Sequence, residues 1–129
     1  MIFLVDACAL IVFHGYGGAT MGPATLDIMR TADLFVSPIT VWEITRKAAL
    51  GKLPRPTPAG YEGSFASWLA TAGYRVMPLT WEDCERANAL PAHHKDPMDR
   101  MLIATALAQD FTIVTDDGIF PRYGVKTIW

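Results

Sequence analysis

Ile2-Phe3-Leu4-Val5 is an unbroken apolar run, the pattern of a strand buried on both faces of a parallel sheet and therefore central in it. Four more short apolar runs, Leu34-Phe35-Val36, Val76-Met77-Pro78-Leu79, Thr112-Ile113-Val114 and Val125 to Ile128, predict further strands. The segments between them carry helix signals. Ala7 to His14 reads as a short helix before a glycine-rich turn, Gly15-Tyr16-Gly17-Gly18, and Pro23 to Thr31 as a second helix. Ser37 and Pro38 suit an N-cap and first turn, opening a helix through Leu50 that Gly51 stops. A helix is predicted over Tyr61 to Ala72 and ended by Gly73, after a stiff connector, Leu53-Pro54-Arg55-Pro56-Thr57-Pro58. Thr80 with Asp83 three residues on resembles a capping box, and Asp96-Pro97 opens a helix through Gln109.

Strands that alternate with helices, each connection long enough for a crossover, predict an α/β fold with a parallel sheet covered on both sides. Sites in such sheets form beyond the carboxyl ends of the strands, where strand order reverses. Asp6 follows the first strand and Asp117 the fourth.

Composition narrows the picture. The 129 residues, 51% hydrophobic, suffice to bury a core, and one compact domain over residues 1–129 is expected. The 19% charged share is below the ~25% usual in soluble proteins, so apolar surface covered by a second subunit or partner is expected. A formal charge of −2 gives no global positive field, so any nucleic-acid contact must be local. No apolar stretch approaches the ~20 residues of a membrane span, and Asp6 interrupts the apolar start before it forms a signal-peptide core. The expected location is cytoplasmic, with Cys8 and Cys84 as reduced thiols.

The candidate chemistry lies in carboxylates. Asp6 leaves a central strand at its carboxyl end, where an unpaired anion is costly and calls for a cation; capping the following helix accounts for it equally. Asp99 shares a helical face with Leu102, Ile103 and Ala106, which aims an acid inward, although a first-turn acid also suits the helix dipole. Glu43 sits on the flank of the stripe Val41, Ile44 and Ala48, where an i,i+4 pair with Lys47 explains it as well. Asp116 and Asp117 are adjacent and repel unless a cation intervenes, or they serve a turn through side-chain hydrogen bonds. Spacing leaves open which of the two would ligate. Such oxygens suit Mg²⁺ or Mn²⁺.

Other patterns carry less. His93-His94-Lys95 lacks a second ligand pair at zinc spacing and reads as a solvated loop. The glycine-rich turn lacks a dinucleotide fingerprint, and Asp6-Ala7-Cys8 lacks the second acid of an aspartyl phosphotransfer motif. Arg46, Lys47, Lys52 and Arg55 form the clear local basic excess, a track for phosphates or a set of cations favoured at a helix carboxyl end. Trp42, Trp68, Trp81 and Trp129 read as core or interface anchors.

Several stretches together resemble the PIN domain, and within it the VapC toxins of type II toxin–antitoxin pairs. They are Phe3-Leu4-Val5-Asp6, Val36 to Ile44, Leu50-Gly51-Lys52-Leu53, Leu90 to Arg100, Ile103-Ala104, and Thr115-Asp116-Asp117 with Phe120 and Tyr123. The resemblance implies a three-layer α/β/α sandwich with strand order 3-2-1-4-5. It implies a Mg²⁺- or Mn²⁺-dependent endoribonuclease that leaves a 5′-phosphate. Asp6, Glu43, Asp99 and Asp117 match the family's four acids, with Asp6, Asp99 and Asp117 as metal ligands and Glu43 or Asp116 as additional ones. Arg46 and Lys52 are the candidate RNA contacts, and no organic cofactor is implied. A homodimer and a cognate antitoxin covering the acidic groove are implied partners. Two positions depart from the pattern: Ala7 stands where many members carry Thr or Ser, and Asp116 adds an acid. The alternative from another class is a catalytically silent protein-binding module on the same fold.

Overall fold

The computed structural model describes residues 2–129. In chain order its elements are β1 (Ile2–Val5), α1 (Ala7–Tyr16), α2 (Pro23–Thr31), β2 (Asp33–Val36), α3 (Pro38–Ala49), α4 (Phe65–Thr71), β3 (Arg75–Val76), α5 (Trp81–Ala89), α6 (Pro97–Gln109), β4 (Thr112–Val114), a 3₁₀ turn (Phe120–Tyr123) and β5 (Thr127–Ile128). The five strands form one sheet in the order β3-β2-β1-β4-β5. Every neighbouring pair is parallel.

The apolar run of β1 is central, as its pattern implies. Leu4 lies between Phe35 of β2 and Ile113 of β4, and both Leu4 and Val5 are fully buried. Because successive side chains of a strand point to opposite faces, the run feeds two cores. Phe3 and Val5 pack with Leu10, Met29, Ile44, Phe65 and Leu69 from α1 to α4. Leu4 packs with Leu102, Ile103 and Ala106 of α6 and with Phe120. The result is the α/β/α sandwich. After β1 the chain builds β2 and β3 to one side and then β4 and β5 to the other, so the order reverses between β1 and β4 and leaves a crevice beyond their carboxyl ends.

Caps fix where the helices start. Ser37 accepts from the Ile39 N–H at 3.2 Å, Thr80 and Asp83 bond reciprocally as a capping box, and Asp96 Oδ1 accepts from the Met98 N–H at 2.9 Å. Four boundaries differ from the sequence reading. Helix α4 starts at Phe65 instead of Tyr61, because the Ser64 hydroxyl captures the Ser67 N–H at 3.0 Å and holds Tyr61 outside, its phenol bonded to Ser67 Oγ at 2.8 Å. Strand β3 is Arg75–Val76 and does not reach Leu79, since Pro78 has no N–H to donate; Met77 still donates to Val36 O at 3.0 Å before the chain leaves the sheet. Helix α1 runs through Gly15 to Tyr16 and ends where Gly17 takes φ +62°. Strand β5 is Thr127–Ile128, while Val125 packs into the second core.

The tryptophans divide. Trp68 and Trp129 pack on the first core, whereas Trp42 and Trp81 are 55% and 87% exposed. No helix among the described residues is long and apolar enough to cross a membrane.

Candidate acidic site and its histidine

Asp6 is placed by the sheet. Its N–H continues the ladder to Val114 O at 3.3 Å, and its side chain caps α1 by accepting from the Ala9 N–H at 2.8 Å. Capping and a site role therefore do not exclude each other. The residue is only 7% exposed, and among the described residues no cationic side chain pairs with it. Burial is the main reason its carboxyl is pushed up from 3.8 to about 6; hydrogen bonds from Thr115 and Ala9 act the other way, and the charges of Asp116 and Glu43 add to the rise.

Asp99 stands in the first turn of α6, on the face whose Leu102, Ile103 and Ala106 are buried against the sheet. Its carboxyl is pushed up to about 7, chiefly by burial, with Asp96, Glu43 and Asp6 adding negative charge and His94 opposing. Glu43 and Asp116 thus act on Asp6, and Glu43 and Asp6 on Asp99, from separate elements or loops. Glu43 also keeps its helical partner: Lys47 Nζ lies 3.6 Å from Oε1, with the Glu43 carboxylate largely covered at 15% exposure while the Lys47 side chain remains 46% exposed.

Asp117 is held differently. Its Oδ1 accepts from the Ile119 N–H at 2.8 Å, its own N–H donates to Thr115 Oγ1 at 3.1 Å, and its Oδ2 lies 3.0 Å from His94 Nε2. The same Nε2 lies 3.0 Å from Asp99 Oδ2. Asp116 is exposed, while Asp117 is half-buried. Adjacent in sequence, the two acids divide: Asp116 acts on Asp6, and Asp117 meets Asp99 through the imidazole.

The reading of His93-His94-Lys95 as a solvated loop is corrected for both histidines. The His94 side chain is 14% exposed and sits between two carboxylates, and the His93 ring packs edge-on to Tyr123 at 5.0 Å. The reason is tertiary. Arg100 Nη2 donates to Ala87 O and Leu90 O at 2.7 and 2.8 Å, satisfying carbonyls left open at the end of α5. Its Nη1 reaches Pro91 O at 2.8 Å and His94 O at 3.3 Å, folding the loop back over the start of α6. The Tyr123 hydroxyl, brought by the 3₁₀ turn, accepts the His94 N–H at 2.7 Å. Periodicity carries no trace of this, because His94 precedes the helix and its partners arrive from distant segments. The available signal was the run Leu90 to Arg100 itself, in which His94, Asp96, Asp99 and Arg100 serve one small loop-and-helix unit.

Arg46 and Lys52 are exposed at and beyond the end of α3. Among the described residues the group of ligating side chains drawn within 4.8 Å of one another is His94, Asp99 and Asp117, with Asp6 and Glu43 outside it; the carboxylate oxygens suit a hard divalent cation, and among the described residues Asp6 is a buried acid without a cationic partner.

The fold has relatives of known structure. A chain of the DNA-bound VapBC complex from Salmonella typhimurium aligns over 98% of this chain and 96% of its own, with 17% identity and a TM-score of 0.71. FitAcB from Neisseria gonorrhoeae aligns over 100% and 97%, with 24% identity and a TM-score of 0.66. VapBC2 from Rickettsia felis, bound to a DNA fragment from the promoter, aligns over 98% and 97%, with 11% identity and a TM-score of 0.64. At these identities the likeness is one of fold. No curated protein matches in sequence. The PIN domain family model matches residues 3–126, nearly the whole chain, and the protein therefore belongs to the PIN domain family.

Proposed function

We propose that the protein is a metal-dependent endoribonuclease and the toxin of a type II toxin–antitoxin pair. The observation that carries this reading is Asp6, buried at the end of the central strand without a cationic partner among the described residues and within electrostatic reach of Glu43 and Asp116, while Asp99 feels both Asp6 and Glu43. Structural elements of a protein rarely leave a buried anion unpaired, because its desolvation costs several kcal/mol (order of magnitude). A pocket built this way gains from a cation that the chain does not supply. The likenesses to VapBC, VapBC2 and FitAcB support the assignment of a protein partner.

In this reading Asp6 and Asp99 are the principal ligands, and Glu43 and Asp117 hold the ion directly or through water, with Asp116 as the additional acid beside Asp6. When bound, Mg²⁺ or Mn²⁺ would supply Lewis-acid polarisation of a phosphate oxygen and a more acidic water to serve as nucleophile. Asp6 keeps its orientation through the Ala9 N–H, and Asp99 through the rigid first turn of α6. Arg46 and Lys52 contact phosphates of the RNA. A homodimer and an antitoxin segment over the groove complete the proposal; the exposed Trp42, next to Glu43 on α3, is a surface such contacts would cover.

The test is incubation of the purified protein with total RNA, with Mn²⁺ or with EDTA, alongside Asp6→Asn and Asp99→Asn. Cleavage should require the metal and disappear in both variants while their circular dichroism is unchanged. Full activity in both would remove the mechanism, and calorimetry showing no carboxylate-dependent Mn²⁺ binding would favour the silent module.

A further inference from the structure

Among the groups the nuclease reading does not use, His94 is the one placed against two of the acids, 3.0 Å from each. Its backbone is fixed at both ends, N–H to the Tyr123 hydroxyl at 2.7 Å and carbonyl to Arg100 at 3.3 Å, and its ring packs edge-on to Phe120 at 5.9 Å. The ring nitrogens are distinguished by their partners. Nδ1 lies 3.2 Å from the Asp96 N–H, a group that can only donate. Asp96 is the N-cap of α6, so its N–H has no place in the helical ladder and is free for this bond. A proton on Nδ1 would set two donors against each other, so the ring's hydrogen belongs on Nε2. There it faces Asp99 Oδ2 and Asp117 Oδ2, each at 3.0 Å.

An imidazole ligates through a bare nitrogen and donates with the other. Here the bare nitrogen is turned to the backbone and the donor to the acids, the reverse of what a ligand at this place needs. Although His94, Asp99 and Asp117 have atoms within 4.8 Å of one another, they do not form a three-ligand set. Asp117 is clamped from both sides, by the Ile119 N–H on Oδ1 and by His94 on Oδ2, which fixes its rotamer. Asp99 is engaged by His94 through Oδ2 alone.

We propose that His94 is a positioning residue of the acidic site: a fixed Nε2–H donor that aims Asp99 and Asp117 and stays outside the ligand set. The inference rests on the reading of the pocket as a metal site. Outer-shell partners of this kind typically change metal affinity 10- to 100-fold when removed. Gln and Asn separate its role from mere packing. A Gln side chain carries its amide N–H to about the place of the imidazole Nε2, whereas Asn ends near that of Nδ1.

The experiment measures Mn²⁺ affinity by calorimetry in the full chain for the unaltered protein, His94→Ala, His94→Gln and His94→Asn, with melting temperatures recorded without metal. Affinity should fall about 10- to 100-fold in His94→Ala and His94→Asn and return to within about threefold in His94→Gln. Pulsed electron paramagnetic resonance of the Mn²⁺-loaded unaltered protein should show no directly bound nitrogen. Nitrogen NMR of the metal-free protein should place the His94 proton on Nε2, a readout that survives even if a variant does not fold. A bound-nitrogen signal, a proton on Nδ1, or equal affinity in all four proteins would overturn the proposal. If the unaltered protein takes up no Mn²⁺, the nuclease reading itself fails and this role falls with it, an outcome distinct from binding that ignores His94.

Discussion

Two buried aspartates cap two helices of this protein, and the chain treats them differently. Asp83 at the start of α5 is 3% exposed, bonds the Thr80 N–H at 3.2 Å, and has the Arg86 guanidinium 3.1 Å from its Oδ1. Asp6 at the start of α1 is 7% exposed, bonds the Ala9 N–H, and has the charges of Glu43 and Asp116 near it instead of a cation. Similar burial and related capping duties, Asp6 as the N-cap of α1 and Asp83 as the capping-box partner of the Thr80 N-cap, thus go with opposite electrostatics. In α5 the charge is neutralised within one turn of helix; at the end of β1 it has no cationic partner among the described residues and feels other acids. The difference marks Asp83 as structural and is what leads the proposed function to put an external cation at Asp6.

Substitution breaks the comparison most sharply. Asp6→Asn should reduce metal-dependent RNA cleavage by more than about a hundredfold while leaving the metal-free melting temperature equal or higher, because the change relieves a buried charge. Asp83→Ala should do the reverse: activity retained, stability lowered by about 1 kcal/mol through loss of the cap, read as a fall of several degrees in melting temperature. A loss of metal binding in Asp83→Ala with none in Asp6→Asn would invert the assignment.

Metal addition comes next. Mn²⁺ at 100 times its Kd should stabilise the protein by about 2.7 kcal/mol, and the gain should vanish in Asp6→Asn. The pH dependence follows from the direction of the shifts. Folded Asp6 and Asp99 titrate at about 6 and about 7, above their ordinary 3.8, so the stability these groups contribute is complete below about 4 and is lost as pH rises through 6 to 7. The metal-bound form needs them ionised, so the stabilisation by Mn²⁺ should be larger at pH 8 than at pH 5.5. Calorimetric scans with and without EDTA at the two pH values check both signs; a Mn²⁺ effect larger at pH 5.5 would contradict them.

The smallest expected effect is at the basic segment. Arg46→Ala or Lys52→Ala should weaken RNA binding modestly and reduce the slope of log affinity against log salt by about 0.7 per lost phosphate contact. An unchanged slope would remove these residues from the interface.

The residues themselves carried a good deal of this. The unbroken run Ile2–Val5 specified a central parallel strand, because only a strand covered on both faces can bury every side chain. Ser37, Thr80 with Asp83, and Asp96 specified helix starts, because capping is a local exchange between a side chain and the next few N–H groups. The inward aim of Asp99 was legible for a similar reason, its stripe lying on one helix face. Where two local options competed, as between Tyr61 and Ser64 for the start of α4, the pattern alone did not decide, and a hydroxyl within reach of the right N–H did.

The tertiary structure alone decided what lies between the elements. Glu43 had an adequate partner in Lys47 on its own helix, and only the packing of α3 beside β1 brings it into the field of Asp6 and Asp99. Hydrophobic period gave no signal for His94: its position depends on Arg100, Tyr123 and the two acids, which come from α6, the 3₁₀ turn and the loop after β4. Short-range physics fixes hydrophobic period and caps within a few residues of chain. Distances between charges on separate elements are set by how sheet and helices pack, and that is written in no single stretch of the sequence.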